Sequence, residues 1–185
     1  KAIGMKVKIL LEQFYLNNGI PKNGGANDKT FLFKVFGIAL TLPNPEFRRK
    51  ALYIHDIQHI LNKKDTSWKG EGFIAGWEIG TGMWKHFPLS ILALWAMGYS
   101  LWIYPKSVFQ GFKKGLTNIG IIDMNFSKNE FLNMEFKELT KNSKKTGYSL
   151  SKYKTNCLFL YWIMISQLIF LAPIWLVIAA LFFLF

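Results

Sequence analysis

A chain of 185 residues, 51% of them apolar and with a formal charge of +12, can bury one good core, and a single folded domain is the expectation. Its one cysteine, Cys157, excludes an intramolecular disulfide framework and a multi-cysteine zinc site, so any metal must be held by His, Asp and Glu. The basic residues are dispersed, flank apolar segments and form no recognised nucleic-acid motif, which makes membrane phosphates the better partner and excludes nucleic acid.

In chain order, "KAIGMKVKILLEQFYLNNG" places Ile3, Val7, Leu10, Leu11 and Phe14 on one helical face, and Asn17-Asn18-Gly19 ends that helix. Its apolar run is shorter than the core of a secretory signal. Gly19 to Asp28 reads as a loop, and "LPNPE" marks a second break. There Asn44 is a good N-cap, with Pro45 in the first turn of the helix that carries His55. No strand-like alternation or internal repeat stands out, so the expected fold class is all-α.

Two of the three histidines, His55 and His59, stand four residues apart on that helix. Their rings project from one face a turn apart and can grip one metal ion. Asp56 is rotated by about 100° from His55, a position from which it either ligates or orients a histidine. The polar loop "NKKDTSWKG" lets a second helix start and turn back, bringing Glu71 opposite the imidazoles. Such a donor set suits zinc, with iron and manganese as chemical alternatives. The plain alternative is a chance pair of histidines on a solvated face. Glu78 is a candidate for the surroundings of the metal, and His86, beside Lys85 and Phe87, is a weaker one that better fits a membrane interface.

His55-Asp56-x-x-His59, eleven residues, then Glu71 resembles the HDxxH-x11-E signature of the Coq4 family of ubiquinone-biosynthesis proteins. Gly70 before the glutamate, the Trp77-Glu78 pair and an apolar helix opened by Pro88 are similar to that family as well, and the resemblance covers roughly Leu11 to Leu139. It implies a compact helical domain with an apolar lipid channel, and zinc held by His55, Asp56, His59 and Glu71, which would also be the catalytic residues. It further implies metal-dependent C1 decarboxylation with hydroxylation of a polyprenylated hydroxybenzoate-type precursor at the membrane. The partners implied are that prenylated quinone precursor or a similar lipid, the membrane, and other quinone-biosynthesis proteins. The alternative is a scaffold that binds prenyl lipid without catalysis and organises those proteins.

Phe87 to Tyr104 is a run of about 18 apolar residues, the lower edge for a span. Thirteen Lys or Arg precede it and ten lie between it and the terminal segment, so spanning would put basic sequence on both faces, against the positive-inside tendency. A buried or interfacial helix lining a greasy cavity is therefore expected, with a full span as the alternative. Trp84, Leu92, Trp95, Met97, Tyr99 and Trp102, interrupted by Ala93, Ala96 and Gly98, would line a tail-binding surface or simply pack a core. "FQGFKKG" sets Gly111 and Gly115 around Lys113 and Lys114, a weak phosphate signal better read as a helix end. "NFSKNEFLNMEFKELTK" reads as one helix packing over the domain.

Five lysines and no acid lie between Lys141 and Lys154, as in a cytoplasmic flank. The stretch from Cys157 to Phe185 carries no charge and is long enough for a hydrocarbon core of about 30 Å. Pro173 divides it, which favours one long, tilted or kinked helix over a hairpin. The expected organisation is a metal- and lipid-binding domain at 1-140, a basic linker at 141-156 and a C-terminal membrane segment at 157-185. The metal-binding domain is expected on the cytoplasmic face.

Overall fold

The computed structural model describes residues 4–35 and 37–184, so Ile3 and Phe185 lie outside the described residues. The chain divides into two compact units: residues up to Lys63 with Met124–Asn142, and Lys64–Asp123 with Ser143 onward. The fold is mainly α, as expected.

In the first unit, α1 (Val7–Asn18) buries Val7, Leu11 and Tyr15. It ends at Gly19, whose φ of +63° lets its N–H reach back to the last carbonyls. A β-hairpin follows, β1 (Thr30–Val35) antiparallel to β2 (Ile38–Pro43), with Val35 opposite Ile38 and Gly37 at φ +79° in the turn. The expectation of no strand is corrected here. "TFLFKV" and "IALTLP" are too uniformly apolar to show an alternation, and both faces of the hairpin stay largely open.

The second helix of this unit, α2 (Glu46–Asn62), starts one residue later than Asn44 would place it. Pro45 occupies the cap position, and no side chain caps the helix. Asn44 instead donates to the carbonyls of Gly25 and Asp28 and accepts from Arg48, tying the loop before the hairpin to the helix. The stretch read as one helix is two, α6 (Lys128–Asn133) and α7 (Phe136–Asn142). Ser127 and Glu130 form a capping box at the start of α6. Between α6 and α7 the backbone opens to pair with the chain before α1: Val7 N–H donates to Met134 O, and Phe136 N–H to Met5 O. That pairing breaks the periodic pattern, because it uses backbone groups that a continuous helix would need.

In the second unit, α3 (Trp68–Thr81) is capped by Ser67, whose hydroxyl accepts from Gly70 N–H. It packs along α5 (Pro105–Leu116) through glycines on both helices, Gly76 and Gly80 on one and Gly111 and Gly115 on the other, while a Cβ at Gly72 would first meet Ser100. A Cβ at Gly76 would overlap the Val108 carbonyl, and one at Gly111 the Phe73 carbonyl. The two backbones therefore touch, as in small-residue helix pairs. Gly111 and Gly115 are packing residues inside a helix, so the phosphate reading of that stretch gives way to the helical one.

Helix α4 (Leu89–Ile103) lies against α8 (Lys152–Phe170), and Met97, Leu94, Phe112 and Phe159 share a core with Ala75 and Ile79. Each large apolar side chain buried there contributes about 1.5–3 kcal/mol. The small-residue face of α4 receives protein: beside Gly98 stand the Ser166 carbonyl and Phe170 Cβ. Helix α8 begins at Lys152, inside the expected linker, because Ser151 caps it by accepting from Lys154 N–H. It breaks at Leu171 into α9 (Ala172–Leu184), with Pro173 in the new first turn. No single helix among the described residues is long and apolar enough to cross a membrane; α8 and α9 reach that length only together, bent by 53°.

Candidate metal centre

Helix α2 delivers His55 and His59 at i and i+4. His59 is 1% exposed and packs against Phe14 of α1 at 5.6 Å between ring centroids, while His55 is half-buried. Their Nε2 atoms face each other at 3.2 Å, with the rings inclined at 70°. Metal–imidazole bonds of about 2.0–2.1 Å at a tetrahedral angle put two ligand nitrogens about 3.3–3.4 Å apart. The histidine pair thus has the spacing of one edge of a coordination tetrahedron. A plain His–His hydrogen bond explains the distance too, though it gives no reason for a carboxylate beside the pair.

Such a carboxylate is present. One ligand atom from each of His55, His59 and Glu71 lies within 4.8 Å of the others, and this trio could hold a metal ion. Glu71 sits in the first turn of α3, where the helix dipole favours negative charge. Its neighbour Gly70 is set by packing, since a Cβ there would overlap the Asp65 carbonyl. Asp65 in turn accepts from the Ser67 hydroxyl at 2.6 Å and fixes the turn that starts α3. The Gly-Glu pair noted in the sequence therefore has a local reason.

Asp56 is outside the trio. It is buried, and its Oδ2 accepts a hydrogen bond of 3.0 Å from the Tyr15 hydroxyl, joining α2 to α1. Burial, then the charge and hydrogen bond of Asp56, hold the Tyr15 phenol far above its ordinary range, so it stays a donor. Gly24, at φ +66°, brings loop backbone over this pair. Sequence reading missed Tyr15, although it lies one turn beyond Leu11 on the buried face of α1. Replacing Tyr15 with Phe removes a hydrogen bond to a buried carboxylate and is expected to cost about 1.5–3 kcal/mol, measured by urea unfolding.

The remaining candidates lie elsewhere. Glu78 is buried on α3, outside the trio. His86 pairs with Asp123 at 2.8 Å, both about one-third exposed, which gives it a structural partner away from the metal cluster. No protein-family model, curated protein or solved structure matches the chain.

Proposed function

We propose that the protein is a metal-dependent enzyme of Coq4-like type, acting at a membrane on a polyprenylated hydroxybenzoate-type precursor in ubiquinone biosynthesis. The observation that supports this reading most is that His55, His59 and Glu71, three of the four residues of the HDxxH-x11-E pattern, each offer a ligand atom within 4.8 Å of the others. In this proposal the three are the ligands of a zinc ion, or of iron or manganese, and Asp56, tied to Tyr15, holds the histidine helix in place.

Bound there, a Lewis-acidic metal would polarise a carboxylate or phenolate oxygen of the aromatic head group and stabilise charge as the C1 carboxyl leaves. Buried His59 presents its Nε2 from a packed position, so the donor is oriented before any ligand arrives. Glu71 supplies the negative charge that makes the site attractive to a divalent cation.

The test is metal content by elemental mass spectrometry, followed by turnover assays with prenylated hydroxybenzoates. Glu71→Gln, which keeps the side-chain volume and removes the charge, is expected to lower turnover by more than about 100-fold, above the loss typical of a residue that only supports a ligand. Lipid retention should change little. A prenyl-lipid scaffold with a structural metal would show the reverse, with stability and partner binding falling together.

A further inference from the structure

We infer that α4 and α8 enter one anionic phospholipid bilayer side by side, as a packed pair locked by Gln167. The inference concerns the second unit alone and does not depend on the metal.

The surface of α8 carries an apolar stripe at helical spacing: Leu160, Tyr161, Met164 and Leu168, each roughly half exposed or more. On α4, Ile91 and Leu92 are exposed as well, and Trp102, bonded to Gln167 of α8, is 65% exposed. No charged residue occurs between Phe87 and Pro105, or from Thr155 to Phe185. Exposed apolar side chains gathered on two neighbouring uncharged helices mark an interaction surface.

The polar side chains where the two helices meet, Gln167 and Trp102, are paired within the helices themselves, as a hydrocarbon surrounding favours. Gln167 Nε2 donates to the Gly98 carbonyl at 2.9 Å, and Gln167 Oε1 accepts from Trp102 Nε1 at 2.9 Å. Ser166 donates to the Ile163 carbonyl one turn back. In water an exposed tryptophan N–H would need no such partner; in lipid it would have no other. Close approach at Gly98 and interhelical hydrogen bonding are the means by which helices pair in membranes, where the hydrophobic effect does not hold them together.

Charge settles the kind of surface. Lys152 and Lys154 lie in the first turn of α8, Lys144 and Lys145 precede it in the chain, with Lys145 Nζ donating to the Leu116 carbonyl, Lys85 and Lys106 flank α4, and no acid follows Glu138 in the sequence. Such a border complements anionic headgroups. At about 1.5 Å per residue, α4 and α8 are about 22 and 28 Å long, which suits partial embedding of the pair better than separate spans.

The experiment uses the full chain reconstituted with vesicles of phosphatidylcholine and phosphatidylglycerol, or of phosphatidylcholine alone. A polarity-sensitive fluorophore is placed on Cys157, the sole and exposed cysteine, or in a Cys157→Ser background on Ile91→Cys or, as a second reporter of α4, Leu92→Cys. Quenching by lipids spin-labelled in their acyl chains is expected at the α8 and α4 positions alike. Binding should be at least about tenfold weaker without the anionic lipid. Quenching at Cys157 with both α4 probes left in water would overturn the paired insertion. So would absence of quenching at all three positions with a concentration-dependent dimer, which would assign the stripe to a second copy of the chain.

Discussion

Gly111→Leu is expected to destabilise the protein by about 3 kcal/mol or more, the largest effect of any single substitution away from the metal cluster. The α3 and α5 backbones touch at this point, and the atoms in the way of a Cβ at Gly111 are the Phe73 carbonyl and the Trp77 amide. Neither belongs to a side chain that can rotate aside. Accommodating Leu means moving the helix axes toward the 8–10 Å of ordinary packing, which pulls Val108 and Phe112 out of the shared core. Natural stability is about 5–15 kcal/mol, so this loss is a large part of the whole. Thermal unfolding would read it, with Gly4→Ala as the control: nothing lies within 4 Å of a Cβ there, and its effect should stay within about 0.5 kcal/mol. A Gly111→Leu variant with unchanged melting would mean that the helices do not approach as described.

That glycine ladder was written in the sequence, yet periodicity did not find it. Gly72, Gly76 and Gly80 repeat every fourth residue, as do Gly111 and Gly115, but scanning for apolar faces scores glycine as a breaker. The elements that could be read were those whose ends carry their own chemistry, such as α1, which stops where a residue at positive φ is needed and glycine supplies it. The histidine pair was legible for the same reason, since helical spacing alone puts two rings on one face.

What remained hidden depended on distant partners. The break between α6 and α7 exists because residues 5 to 7 pair with residues 134 to 136, a contact more than a hundred residues away in sequence. Asn44 looked like a cap and became a loop tie because the carbonyls of Gly25 and Asp28 are close enough to accept from it. The small residues of α4 suggested a place for a lipid tail, and at Gly98 the occupant is α8. In each case the local pattern was correct about a close approach or a polar need, and tertiary structure chose the partner.

The second large effect concerns the metal. Purified wild type is expected to carry about one divalent ion per chain, and His59→Ala to carry none, because the lost imidazole is a buried, packed donor that water cannot replace in geometry. With metal at about 100 times its dissociation constant, the ion should stabilise wild type by about 2.7 kcal/mol and leave His59→Ala unshifted, which a thermal-shift titration with zinc would show. Asp56→Asn separates the two ligand sets. If the ligands are His55, His59 and Glu71, this variant keeps its metal while losing stability, since the substitution weakens the charge-assisted bond from Tyr15. If Asp56 ligates the ion, as the four-residue pattern of the Coq4 resemblance implies, metal content falls as far as in His59→Ala. The geometry favours the first result, because the Asp56 carboxylate is engaged with Tyr15 and the cluster of ligand atoms forms without it. A wild type that folds and takes up neither zinc, iron nor manganese would remove the basis for any metal chemistry and leave the two histidines as a packed pair on α2.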